Sequence, residues 1–148
     1  MKFYQKVKIK NTKFEDVINS FHNIKFIKFL TYLQPIKIIN WDGIQNDKLA
    51  FFKLWFLGWK NFKVKHSNYK NNTDELSFTD RGIELPLGLK SWHHDHIIIN
   101  NENEILIIDS LNIKHSNTLI GYIIFPFLIL PVFIRFFLYK IYFRKYTT

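Results

Sequence analysis

From Leu119 to Ile134 the chain carries no charged side chain, and the surrounding stretch Asn117 to Tyr146 is its most apolar and most aromatic part. Such a segment has to be buried, in lipid or beneath a sheet. The uncharged run is somewhat shorter than the roughly 20 apolar residues of a membrane span, and Arg135 ends it. Pro126 and Pro131 each remove a backbone donor and divide the run into shorter pieces. The expectation is a continuous helix that begins near Pro126 or Pro131 and runs to about Tyr146. Beyond Arg135, the spacing of Lys140, Arg144 and Lys145 forms a polar stripe, while Phe136, Phe137, Tyr139, Ile141 and Phe143 cover much of the remainder. One face of this helix should therefore lie on an apolar surface, with a membrane anchor as the alternative.

At 148 residues the chain fits a single domain, 1–148, with a substantial core. Phenylalanine occurs 16 times, aromatic residues make up 18% and hydrophobic residues 47%, so a large apolar interior or cavity is expected. The net charge of +9 comes almost entirely from lysine. Arginine stands only at Arg81, Arg135 and Arg144, and the lysines are scattered along the chain, which is not the footprint of a nucleic-acid site. Weak attraction to an anionic membrane surface fits better, because basic residues flank the apolar C-terminal segment. Without cysteine there are no disulfides, thiolate nucleophiles or cysteine metal sites. The N-terminal ten residues contain no signal-peptide apolar region, so a cytoplasmic protein is expected, peripheral membrane contact through the last helix remaining open.

Residues 2 to 10 alternate apolar Phe3, Val7 and Ile9 with lysines, a half-buried strand. Asn11 or Thr12 is placed to cap a helix. From Lys13 to Leu33 apolar residues fall at helical spacing, and His22-Asn23 divides them into two short helices. Six short segments rich in branched and aromatic residues follow: 35–40, 48–57, 59–69, 75–83, 91–100 and 104–113. The turn signals between them indicate an antiparallel meander. The order is a strand, two small helices, about six strands and a long apolar helix, an α+β helix-grip layout. A curved antiparallel sheet of six to seven strands wraps the C-terminal helix, the element large and apolar enough to cover its inner face.

Several short motifs occur in the same order as in a known family. Gly58-Trp59-Lys60-Asn61-Phe62-Lys63-Val64 resembles a glycine followed by an alternating strand, and Phe78-Thr79-Asp80 a Phe-x-Asp. Ser91-Trp92-His93-His94-Asp95-His96 resembles a Trp-x-His-x-His strand followed after a turn by an aspartate, Asp109. The chain thus resembles the START-like (SRPBCC) ligand-binding superfamily, in its bacterial branch near polyketide-cyclase and coenzyme-Q-binding-type proteins. The loop 85–90 and the turn 100–103 depart from that branch. The resemblance implies binding of a small hydrophobic or lipid-like molecule between the sheet and the last helix.

On the histidine strand Trp92, His94 and His96 share one face. If Asn100 to Asn103 form a four-residue loop, His94 lies opposite Asp109, His96 opposite Ile107 and Trp92 opposite Leu111. An aspartate beside a half-buried histidine is expected to fix its tautomer and favour its charged form. The ligand-binding candidates are Trp92, His94, His96, Asp109, Trp59 and Phe78. A cyclase or dehydratase type of enzyme, with His94 and Asp109 as catalytic candidates, is the alternative. His94 and His96 with Asp109 or Glu84 could serve as metal ligands, but a His-x-His pair alone is weak evidence, and no metal or cofactor is expected. Trp41, Trp55, Trp59 and Trp92 could line a ligand cavity, although bulky aromatics are more often core, and Arg81 could meet a ligand head group, although an exposed strand-end arginine is the commoner case.

Overall fold

A computed structural model describes residues 1–144 of the chain, so the end of the expected last helix, Lys145 and Tyr146 included, lies outside the described residues. Seven strands, β1 (Lys2–Ile9), β2 (Ile36–Trp41), β3 (Leu49–Trp55), β4 (Trp59–Asn71), β5 (Glu75–Glu84), β6 (Leu89–Asn101) and β7 (Glu104–His115), form one antiparallel sheet. Its order is β1-β7-β6-β5-β4-β3-β2, a meander closed by β1 beside β7. The short helices α1 (Phe14–Phe21) and α2 (Ile24–Thr31) follow β1, and the long helix α3 (Thr118–Phe143) ends the chain. This is the helix-grip architecture, the curved sheet folded around α3.

The break between α1 and α2 falls at His22-Asn23, where the Asn23 side chain accepts from Lys25 N and starts the second helix. The expected cap of α1 is absent. Lys13 occupies the N-cap without a side-chain bond, Asn11 is held at φ 55°, and Thr12 Oγ1 donates to Lys10 O instead.

Two expectations need correction. The β6–β7 turn is shorter than a four-residue loop: Asn101 pairs with Glu104, leaving Glu102-Asn103 as a two-residue connection. His94 therefore lies opposite Leu111, His96 opposite Asp109 and Trp92 opposite Ile113. The shift is an even number of residues, so every side chain keeps its face.

The second correction concerns α3, which starts at Thr118 and passes through both prolines. Asn117 caps it, accepting from Ile120 N at 3.1 Å. Buried Gly121 lets the first turn approach β7, since a Cβ there would stand 2.8 Å from His115 Cβ. A proline at position i deprives the carbonyl of residue i−4 of its partner, here those of Tyr122 and Phe127. Both residues are exposed, so the interruptions fall on the outer side of the helix.

Side chains of α3 hold it to the rest of the fold. Its inner residues Ile124, Leu128 and Val132 pack in one apolar cluster with Phe62, Trp92 and Leu111. Leu138, Tyr139 and Phe143 pack in a second with Phe21, Phe26 and Ile107. Gln5 Nε2 donates to Val132 O at 2.7 Å, and Gln34 Nε2 to Pro131 O at 3.3 Å. Phe26 is fully buried, its ring centroid 5.5 Å from that of Phe143 and 4.7 Å from that of Tyr142. Phe26→Ala is expected to lower unfolding free energy by about 3–5 kcal/mol. Phe133→Ala on the outer face should change it by less than about 0.5 kcal/mol. Urea unfolding followed by far-ultraviolet circular dichroism measures both.

Candidate functional site

Two adjacent rows of inward-facing residues cross the sheet and replace its apolar lining with polar groups. In the first, Asp80 on β5 has His66 on β4 and His94 on β6 as its lateral partners. In the second, His96 stands between Phe78 on β5 and Asp109 on β7, and Asp109 in turn pairs with Gln5 on β1. Residues i and i+2 of a strand share a face, so the two rows lie side by side.

Asp109 is fully buried and is the meeting point of the cluster. His94 Nε2 donates to its Oδ1 at 3.0 Å, and Gln5 Nε2 donates to its Oδ2 at 2.8 Å. His96 Nδ1 lies 3.1 Å from Oδ1, off the hydrogen-bond axis, and the Tyr139 hydroxyl reaches the same oxygen at 3.5 Å. Asp80 faces the opposite nitrogens of the same rings. Its Oδ2 is 3.2 Å from His96 Nε2 and 4.0 Å from His94 Nδ1, while its Oδ1 is 3.1 Å from His66 Nε2. The rings of His94 and His96 lie between the two carboxylates with centroids 3.9 Å apart.

Charge in this cluster follows from burial and neighbours. Burial alone would raise Asp109, but the contacts from His94 and His96 outweigh it and hold the carboxyl far below the usual carboxylate range. Asp80 is lowered in the same way: burial is overcome by the charge of His96 and the contact with His66. Burial would lower His96 too, yet Asp80 and Asp109 push it up to about 9. His94, desolvated and beside the charged His96, is pushed down to about 4. Near neutrality the two carboxylates are thus balanced by His96 and by Arg135, which lies within electrostatic reach of both.

Against the cluster lies a cavity of about 40 Å³. Phe21, Leu30, Trp41 and Phe52 form part of its apolar wall, and His66, Asp80, His96, Arg135 and Tyr139 its polar part. Of the large apolar interior or cavity expected from the phenylalanine content, the described residues form the interior, and aromatic side chains fill most of the space at this site. A water takes up roughly 10–15 Å³ of such volume, and drug-sized ligands need roughly 300–1,000 Å³.

Of the sequence-derived candidates, His96 and Phe78 line this cavity, their rings stacked at 4.5 Å. His94 and Asp109 stand behind His96. Trp92 belongs to the neighbouring apolar cluster with its ring 5.0 Å from Phe62, and its Nε1 is buried without a partner. Trp59 is 43% exposed on the β3–β4 hairpin, with Lys37 Nζ 4.1 Å from its ring centroid. Trp59 is therefore remote from the cavity. Glu84 is bound to Lys63 at 2.6 Å and Asn61 at 2.8 Å on the outside of the sheet. Arg81 is exposed, as expected.

Asp80, His66, Arg135 and Tyr139 are the site residues that the sequence reading missed. Asp80 was legible as a neighbour of Phe78 on the same strand face, and Arg135 as the first charge after the uncharged run of the last helix. Asp80, His94 and His96 place one donor atom each within 4.8 Å of one another, the arrangement closest to a metal-ligand set among the described residues.

Removing Asp109 would leave the His96 charge short of a partner. Asp109→Ala is expected to cost about 3–5 kcal/mol of stability, read by urea unfolding. The pH profile tests the charge assignment in metal-free protein. The raised group, His96, stabilises fully below the ordinary value of 6.5 and loses that contribution as pH rises through about 9. The lowered group, His94, contributes fully above 6.5 and loses it as pH falls through about 4. Asp80 and Asp109 add a loss at still lower pH. Melting temperature should therefore peak near pH 6.5 and decline on both sides.

No protein-family model and no curated protein sequence matches the chain. Solved structures do. A point mutant of norcoclaurine synthase from Thalictrum flavum, in complex with a transition-state analogue, superposes with a TM-score of 0.69 at 14% identity, covering 100% of this chain and 96% of that one. Ara h 8.0201 gives a TM-score of 0.58 at 11% identity over 98% of each chain. Major latex-like protein 151 from Panax ginseng gives 0.50 at 13% identity, over 79% of this chain and 80% of that one. At such identities the agreement establishes the fold.

Proposed function

We propose, from the START-like (SRPBCC) helix-grip fold that this chain adopts, that it binds a small apolar or lipid-like molecule between the sheet and α3, at an anionic membrane surface. The observation that carries this reading is the two-sided character of α3. Its inner side walls the cavity through Arg135 and Tyr139. On its outer side Leu119, Ile123, Phe127, Leu130, Phe133, Phe137 and Ile141 are between 47% and 72% exposed. Only 22% of its most apolar window is buried, although its mean hydropathy of 2.2 would suit a membrane. A stripe of this size on a water-facing helix marks an interaction surface.

The surroundings of the stripe favour a lipid surface as its occupant. The tip of the β3–β4 hairpin lies against it, with Phe56 5.7 Å from Phe127 and Leu57 83% exposed. Leu57 and Gly58 both take positive φ, 48° and 114°, which turns the chain sharply and projects the leucine. Exposed Lys37 and Lys60 flank the hairpin, and exposed Lys140 and Arg144 the end of α3. Apolar side chains ringed by cations fit the interface of an anionic bilayer. The polar part of the cavity, His96, Asp80 and Arg135, supports orientation of a ligand head group, and the cavity's small volume means that a ligand larger than a few waters requires it to widen.

The structure neighbour named as a synthase keeps an enzymatic reading in play. On this chain the proton-transfer groups that face the cavity are His96 and Asp80, and His94 would act through His96.

Incubation with vesicles of phosphatidylglycerol and phosphatidylcholine, followed by sedimentation and native mass spectrometry of the released protein, tests the proposal. The expected result is association with anionic but not neutral vesicles, and one lipid adduct per released chain. Phe127→Glu combined with Phe133→Glu should reduce association at least about tenfold, since each charge costs more than 1 kcal/mol at the interface, without lowering the melting temperature. Absence of both association and adduct overturns the reading, and a dimer that the double substitution dissolves assigns the stripe to a second copy instead.

A further inference from the structure

The tautomer of His94 raises a question that its hydrogen bonds do not answer. Its Nε2 faces Asp109 Oδ1 at 3.0 Å, and a carboxylate oxygen can only accept, so the proton of the neutral ring is on Nε2. The lone pair is then on Nδ1, and the nearest polar atom the structure records for it is Asp80 Oδ2, another acceptor, at 4.0 Å. Asp80, His94 and His96 thus each bring one donor atom within 4.8 Å of the other two. Donors of a tetrahedral zinc site with bonds of roughly 2.0 Å lie about 3.3 Å apart, so the 4.0 Å between His94 Nδ1 and Asp80 Oδ2 has to close by roughly 0.7 Å around an ion. His96 Nε2, 3.2 Å from the same Asp80 oxygen, supplies a third donor on the same side.

A second observation is the buried carboxylate behind the His94 ring. Asp109 meanwhile does what an outer-shell carboxylate does in metal centres: it binds the distal nitrogen of an imidazole and turns the other nitrogen to the metal. Gln5 fixes Asp109 through its second oxygen, and the cavity beside Asp80 and His96 supplies room for further coordination positions.

We propose that His94 Nδ1, His96 Nε2 and Asp80 Oδ2 bind a divalent transition-metal ion of the zinc or ferrous class, with Asp109 as the carboxylate that positions both imidazoles. Two imidazoles and one carboxylate with open positions select that class over magnesium or calcium, which prefer all-oxygen shells. The proposal reverses the sequence-based expectation of no metal, which rested on the weakness of a His-x-His pair alone, and replaces the third ligands considered there, Asp109 or Glu84, with Asp80. It stands independently of the ligand reading above.

Tag-free protein is dialysed against chelator and titrated with cobalt(II), followed by visible absorption and by calorimetry. The expected result is one cobalt per chain with d–d bands of a low-coordinate nitrogen and oxygen site. Asp80→Ala and His94→Ala should abolish the bands, Glu84→Ala should leave them, and Asp109→Asn should weaken binding about 10–100-fold. X-ray absorption of the wild-type cobalt protein, which needs no variant to fold, should count two imidazole ligands. A wild-type chain that takes up no cobalt, a bound cobalt without imidazole scattering, or full binding in folded Asp80→Ala protein overturns the proposal.

Discussion

The buried carboxylate of Asp109 is the constraint that the rest of the structure accommodates. An ion fully removed from water costs several kcal/mol, and only several well-placed partners offset that cost. Here the partners come from three elements: Gln5 on β1, His94 and His96 on β6, and Tyr139 on α3. Because Asp109 is on β7, between β1 and β6 in the sheet, these contacts set the lateral order of the sheet's polar rows and the height of α3 above them. Gln5 joins the two layers directly, donating both to Asp109 and to the helix carbonyl of Val132. The polar cluster thus registers the helix against the sheet, which apolar packing alone would do less sharply.

That registration explains why α3 can be apolar on both sides without losing its orientation. Its inner side carries Arg135 and Tyr139 to the cluster, and these cannot be swapped for outer residues such as Phe133 or Phe137 without leaving charges unpaired. The prolines fall where the carbonyls they release face outward. A helix that is hydrophobic nearly all round is ordinarily buried all round. Among the described residues the outer half of α3 is left uncovered, so an exposed apolar surface is held next to a cavity that the same helix helps to wall.

Much of the fold was legible in the sequence because each signal was local. The period of two in β1, the helical spacing broken at His22-Asn23 and the turn residues between strands act within a few positions. The inward face shared by His94, His96 and Asp109 was recoverable even with the wrong turn length, since an error of two residues preserves the face. Other features depend on distant packing. The start of α3 was misread because proline was weighed as a helix breaker, while Asn117 capping and the sheet beneath stabilise the helix through Pro126 and Pro131. The pairing of His66 with Asp80 could be placed only with the β4–β5 register, which is shifted twice by bulges. Arg135 read as the charge that ends the apolar run, and only the carboxylates brought to it by the sheet reveal its inward role. Cavity volume is set by how the aromatic side chains meet, which composition does not determine.

The protonation pattern around Asp109 is the feature on which these arguments converge, and long-range nitrogen–proton NMR correlations of the histidine rings in metal-free protein read it directly. Near neutral pH the account calls for a neutral His94 ring with its proton on Nε2 and a bare Nδ1, beside a His96 ring protonated on both nitrogens. A His94 ring that carries its proton on Nδ1, or a His96 ring that is neutral, would contradict it.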